Sequence, residues 1–119
     1  MLVKKLKEKN KNILKLTHNV YVVELRKDVA TVPKFLRENP QYVRNKPCVY
    51  VGSTGLSPEE RFREHKEGHK ACKYVTDHGL HLLHNLYIHL NPMTYDDAKK
   101  TEPDLAMQLH EKGYGVWQK

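Results

Sequence analysis

The chain has 119 residues and a formal net charge of +7, which admits one domain around a single modest core and excludes a second. Its 39% hydrophobic and 29% charged residues are ordinary for a soluble globular protein, and no apolar run nears the roughly 20 residues that span a bilayer. The charge is lopsided: residues 1–16 hold six lysines against Glu8 alone, while the remainder is nearly balanced.

That basic arm, residues 1–17, is the footprint expected of a segment that meets a polyanion, and it reads equally as a solubilising tail. Leu2, Leu6, Ile13 and Leu16 fall near one helical stripe, interrupted by Asn10 and Asn12. The lysines precede no continuous apolar segment, so no secretory signal is expected. Cys48 and Cys72 have no paired spacing, and free thiols in a reducing cytoplasm, without a membrane partner, follow as the expectation.

Residues 18–119 are read as one domain. Val20 to Leu25 is β-branched and aromatic and predicts a strand. The polar stretch 26–47 holds Pro33, Pro40 and Pro47 and predicts loops around a short helix at 33–38. Cys48 to Gly52 is apolar without alternation, as a strand buried on both faces requires. Ser57, Pro58 and Glu60 spell a capped helix start, and Gly68 its stop. A short helix over 70–78, closed by Gly79, would bury Cys72 and Val75. Leu82 to Leu90 predicts a third strand with Leu86, Ile88 and Leu90 on one face. Asn91-Pro92 turns the chain, Thr94 with Asp97 caps another helix, and Pro103 is expected to break it, with Thr101 capping a fresh start. The fold class is therefore α/β, with a small three-stranded, mostly antiparallel sheet flanked by helices.

Several positions carry chemistry. Arg61 lies in the first turn of the capped helix, where a permanent cation with a planar fork can hold two phosphate oxygens beside a favourable helix dipole. His65, four residues on, projects from the same face and can donate to phosphate or relay a proton. Arg63 is four residues after Glu59 and suits a surface ion pair instead. Glu102, placed before Pro103, is one of 14 acidic residues, with Asp97 and Asp104 its nearest competitors for a metal. The eight histidines show no spacing that supports a zinc site. Tyr21 and Tyr50 sit in the two apolar strands, where a tyrosine is most often a core residue with one partner for its hydroxyl.

The order Asn19-Val20-Tyr21, then Tyr50-Val51-Gly52, then Arg61 with His65, then Glu102 resembles the GIY-YIG nuclease family, over residues 19–119. The match extends through Ala98, Glu102, Leu105-Ala106, Leu109 and Gly113-Tyr114 to the family's glutamate segment. The resemblance implies an Mg²⁺-dependent (or Mn²⁺-dependent) endonuclease acting on nucleic acid, with DNA the expected substrate. It implies Tyr21 as general base, Tyr50 as orienter of the attacking water, Arg61 and His65 as phosphate contacts and Glu102 as metal ligand. The alternative is a non-catalytic nucleic-acid-binding module on the same fold. The chain departs from the family pattern in Asn19 and Val20, in the long insert 26–47, and in having no asparagine after Asn91.

Overall fold

Two seven-residue strands, β1 (Asn19–Leu25) and β2 (Cys48–Thr54), pair antiparallel along their whole length, from Asn19 opposite Thr54 to Leu25 opposite Cys48. The computed structural model describes residues 15–118, so most of the lysine arm and the stripe of Leu2, Leu6 and Ile13 lie outside the described residues. Val20 to Val23 and Cys48 to Val51 are buried on both sides, which is why neither run alternates. Each buried valine contributes about 1.5–3 kcal/mol relative to exposure.

The sheet is four-stranded and mixed, which corrects the three-stranded, mostly antiparallel expectation. Its order is β3-β1-β2-β4, with β3 (Gly79–Leu82) antiparallel to β1 and β4 (Gly115–Gln118) parallel to β2. Four residues opened by a glycine carry too little periodicity to announce β4.

The expected strand at 82–90 is also corrected. After Leu83 donates to the Val22 carbonyl, the chain leaves the sheet in two short 3-10 turns, His84–Leu86 and Ile88–Leu90. Tyr87 is buried between them, and Ile88 faces solvent. The chain returns at Asn91, whose side chain accepts from Val20 N–H at 2.9 Å and donates to Val20 C=O at 2.8 Å. An amide thus does for β1 what a strand residue would.

A second asparagine seals the other end of the sheet. Buried Asn39 accepts from Val116 N–H (2.7 Å) and donates to the carbonyls of Val116 (3.0 Å) and Phe35 (2.9 Å). It ties the insert, with its 3-10 turn Lys27–Thr31 and helix α1 (Pro33–Glu38), to the outer side of β4.

Helix α2 (Pro58–Glu67) starts and stops as read: Ser57 Oγ accepts from Glu60 N–H at 3.1 Å, and Gly68 ends it at φ 83°. Helix α3 (Lys73–His78) follows and buries Val75, while Cys72 stays half-buried. Helix α4 (Tyr95–Glu111), capped by Thr94, runs unbroken through Pro103. The carbonyl that Pro103 cannot bond is that of Lys99, an exposed residue, where a lost helix bond costs least. Among the described residues, no helix is long and apolar enough to cross a membrane.

Candidate active site

The sequence-predicted residues gather where β2 outruns β4. Strand β4 pairs with β2 along Cys48–Val51, so Gly52, Ser53 and Thr54 extend beyond the described end of β4. Register puts Tyr21, Tyr50, Gly52 and Trp117 on one face of the sheet, under α2 and α3. Gln118, one residue past Trp117, belongs to the other face, covered by α4. The open end of β2 is where groups from both faces can meet.

Tyr21 stands directly across from Gly52, and its ring reaches over that glycine. A Cβ at position 52 would lie 2.6 Å from Tyr21 Oη, 2.7 Å from Cζ and 2.9 Å from Tyr50 Cε2. The space above Gly52 is therefore the seat of the Tyr21 hydroxyl. Gly52→Ala should displace the ring and destabilise the fold by about 1–3 kcal/mol, read by urea unfolding. Adding Tyr21→Phe should not restore stability, because Cζ remains in the way.

His65 is 1% exposed and lies between the two tyrosines, with ring centroids 6.0 Å from Tyr21 and 5.5 Å from Tyr50. Cys72 N–H donates to its Nδ1 at 3.0 Å. In a neutral imidazole the proton then sits on Nε2, which donates to Tyr21 Oη at 2.8 Å. Both ring nitrogens have partners within the protein, Tyr21 and the Cys72 N–H, so neither is free for the phosphate contact expected from sequence. Burial, then the Arg61 charge, pushes its pKa from 6.5 to about 4.

The folded state thus holds His65 neutral while an unfolded chain protonates it. Stability should fall as pH drops from about 6.5 towards 4, by about 3 kcal/mol from this group. His65→Gln, which cannot titrate, should lose that share of the acid sensitivity in urea melts at pH 7 and pH 4.5.

Arg61 is held by three acceptors: Glu64 Oε1 (3.0 Å) and the carbonyls of His69 (3.2 Å) and Lys70 (2.7 Å). Two left-handed residues, Gly68 at φ 83° and Lys70 at φ 45°, curl the loop back so that these carbonyls face the guanidinium. Lys70 bears about 1–2 kcal/mol for that conformation. Nε–H and one Nη2–H are left for the Tyr21 hydroxyl, on which the Arg61 charge acts, and for an incoming anion.

Tyr21 and Tyr50 are both held as phenols. Burial, reinforced by Tyr50 and opposed by Arg61, pushes Tyr21 well above its ordinary value near 10. Burial also pushes Tyr50 up to about 12, with Cys72 and Glu102 adding to the shift and a hydrogen bond from Tyr21 opposing it.

Glu102 lies in the middle of α4 and not at a helix start, which corrects the sequence reading. Gln118 Nε2 donates to its Oε2 at 2.6 Å, fixing the carboxylate from the last position of β4. Its charge reaches the Tyr50 hydroxyl. Among the described residues, no three His, Cys, Asp or Glu side chains gather as a metal group. A single hard carboxylate fits Mg²⁺ or Mn²⁺, which complete their shell with water and substrate phosphate. It does not fit zinc, which takes three or four protein ligands.

Tyr21, Tyr50, Arg61 and His65 thus lie together on one side of the sheet, while Glu102 stands on α4 with its carboxylate on Gln118 of the other face. Asp97 and Asp104 are both exposed on α4. Sequence reading missed Gln118, the Cys72 N–H and the His69–Lys70 carbonyls; of these only the Gly68 stop left a local signal. Compared with family models, curated proteins and solved structures, the chain matches none.

Proposed function

We propose that this domain is a metal-dependent endonuclease of the GIY-YIG type, hydrolysing phosphodiester bonds in nucleic acid, with DNA the substrate implied by the motif resemblance. One observation carries the reading. His65 hydrogen-bonds Tyr21 Oη at 2.8 Å beside Tyr50 on one face of the sheet, and the charges of Arg61 and Glu102 both act on the Tyr50 hydroxyl.

In this reading Arg61 holds a phosphoryl oxygen through the one N–H that Glu64, the His69 and Lys70 carbonyls and the Tyr21 hydroxyl leave free. A water attacks phosphorus; its oxygen forms the new P–O bond as the bond to the leaving sugar oxygen breaks. The base is better assigned to Tyr50 than to Tyr21. Tyr21 is 1% exposed and its hydroxyl already accepts from His65 Nε2, whereas Tyr50 is 8% exposed and nearer to solvent. Tyr50 takes the water's proton, and Tyr21 and His65 position it. A divalent cation bound by Glu102 supplies positive charge to the phosphate and the leaving oxygen.

A second reading, a non-catalytic nucleic-acid-binding module, is favoured by the burial of Tyr21, 1% exposed. Arg61→Lys separates the two. Lysine keeps the charge but lacks the planar fork. A nuclease should lose about 10²-fold in turnover with affinity little changed. Full turnover in the lysine variant would demote Arg61, and a variant that changed affinity alone would support the binding module.

A further inference from the structure

The first turn of α4 carries an exposed aromatic that the fold does not need. Tyr95 is 54% exposed, at a position where a better helix former would serve the helix. Its surroundings are nonetheless built. The His18 ring meets it edge-on at 5.0 Å, and Lys99 Nζ lies 5.1 Å from its centroid. His18 is fixed in turn: its backbone bonds Met93 in both directions (2.9 and 2.8 Å), and its Nδ1 bonds Thr17 Oγ1 at 2.9 Å. Exposed Lys15 lies three residues before His18, at the junction with the lysine-rich arm.

An exposed aromatic ring with a lysine over it is an arrangement that can receive a base of a single strand, the base stacking on the ring and the displaced lysine turning to the backbone. Position also fits. Tyr95, Lys99 and Glu102 are at i, i+4 and i+7, on one stripe of α4, with Tyr95 about 10 Å from Glu102 along the axis. That is close to the span of one or two nucleotides of an extended strand.

We propose that Tyr95 is a stacking platform for an unpaired base of the strand whose phosphate lies beside Glu102, so that the substrate is single-stranded at that point. The inference rests on the nuclease reading and narrows its substrate class. A base in duplex offers no free face to Tyr95, whereas a single strand or the unpaired stretch of a branched DNA does.

The test is fluorescence anisotropy in EDTA with a labelled single-stranded DNA and its duplex, on wild type, Tyr95→Ala, Tyr95→Trp and Lys99→Ala. Tyr95→Ala should weaken single-strand binding about tenfold and leave duplex binding nearly unchanged. Tyr95→Trp should bind the single strand at least as tightly as wild type. Lys99→Ala should weaken both probes alike and reduce the salt dependence. Circular dichroism melts check that each variant folds. An equal loss on both probes in Tyr95→Ala, or none, overturns the platform while leaving the nuclease reading intact. If wild type binds neither probe, both fall together.

Discussion

Glu102→Gln is expected to fold, to bind DNA and to leave it uncut. The amide is nearly isosteric, and its oxygen can still accept from Gln118 Nε2 where Oε2 does now. Stability should therefore change by less than about 1 kcal/mol. The lost charge is the carboxylate to which the proposed mechanism assigns a hard divalent cation. Several kcal/mol of transition-state stabilisation go with it, so cleavage in Mg²⁺ should fall by about 10³-fold or more. Affinity for DNA should hold or tighten, since a carboxylate no longer repels phosphate. Gel assays of cleavage, read beside anisotropy and thermal melts, measure all three. Cleavage at the wild-type rate would remove Glu102 from the chemistry.

The two tyrosines should separate in a pH–rate profile. With the Tyr50 pKa raised to about 12, the phenolate is a small fraction at neutral pH. The rate under single-turnover conditions should therefore rise about tenfold per pH unit from 7 to 9, with no plateau in that range. Tyr50→Phe should abolish this rise and cost about 10²–10⁴-fold in rate. Tyr21→Phe removes the hydrogen bond that favours the Tyr50 phenolate. It should slow the reaction less and displace the rise to higher pH, keeping its slope. A plateau below about pH 8 would exclude a tyrosine base. Loss of the rise in Tyr21→Phe but not in Tyr50→Phe would return the base to Tyr21.

What could be read from the sequence followed the range of the interaction. Ser57, Pro58, Glu60 and Gly68 fix both ends of α2 through contacts within a few residues, so that helix was legible to the residue. The unalternating run around Tyr50 announced a strand buried on both faces, as β2 is, while the run around Tyr21 announced a strand but not that both its faces are buried. Strand β4 was not legible, because its four residues gain their partner in β2 from far along the chain. Asn39 and Asn91 were read as loop and turn residues, yet each replaces a strand's hydrogen bonds across more than 70 residues of sequence. Pro103 read as a breaker because a sequence does not show that Lys99, whose carbonyl loses its partner, lies on the exposed side of α4.

The site divides the same way. The i, i+4 spacing of Arg61 and His65 correctly put them on one face, but not where each turns. Arg61 is drawn to carbonyls that the left-handed Lys70 presents, and His65 is drawn inward between a backbone N–H and Tyr21. Gly52 was legible as part of a motif, and its physical reason, the seat of the Tyr21 hydroxyl, appears only once β1 and β2 are in register.

If the site beside Tyr50 cuts phosphodiesters with a cation on Glu102, cleavage must depend on both the cation and that carboxylate. The most direct measurement is incubation of the full chain with single-stranded, duplex and branched DNA and with RNA, in Mg²⁺ and in EDTA. Cleavage of at least one DNA that contains an unpaired stretch is expected in Mg²⁺, none in EDTA, and none by Glu102→Gln in either. Binding of these substrates without cleavage of any of them in Mg²⁺ or Mn²⁺ would contradict cutting at this site.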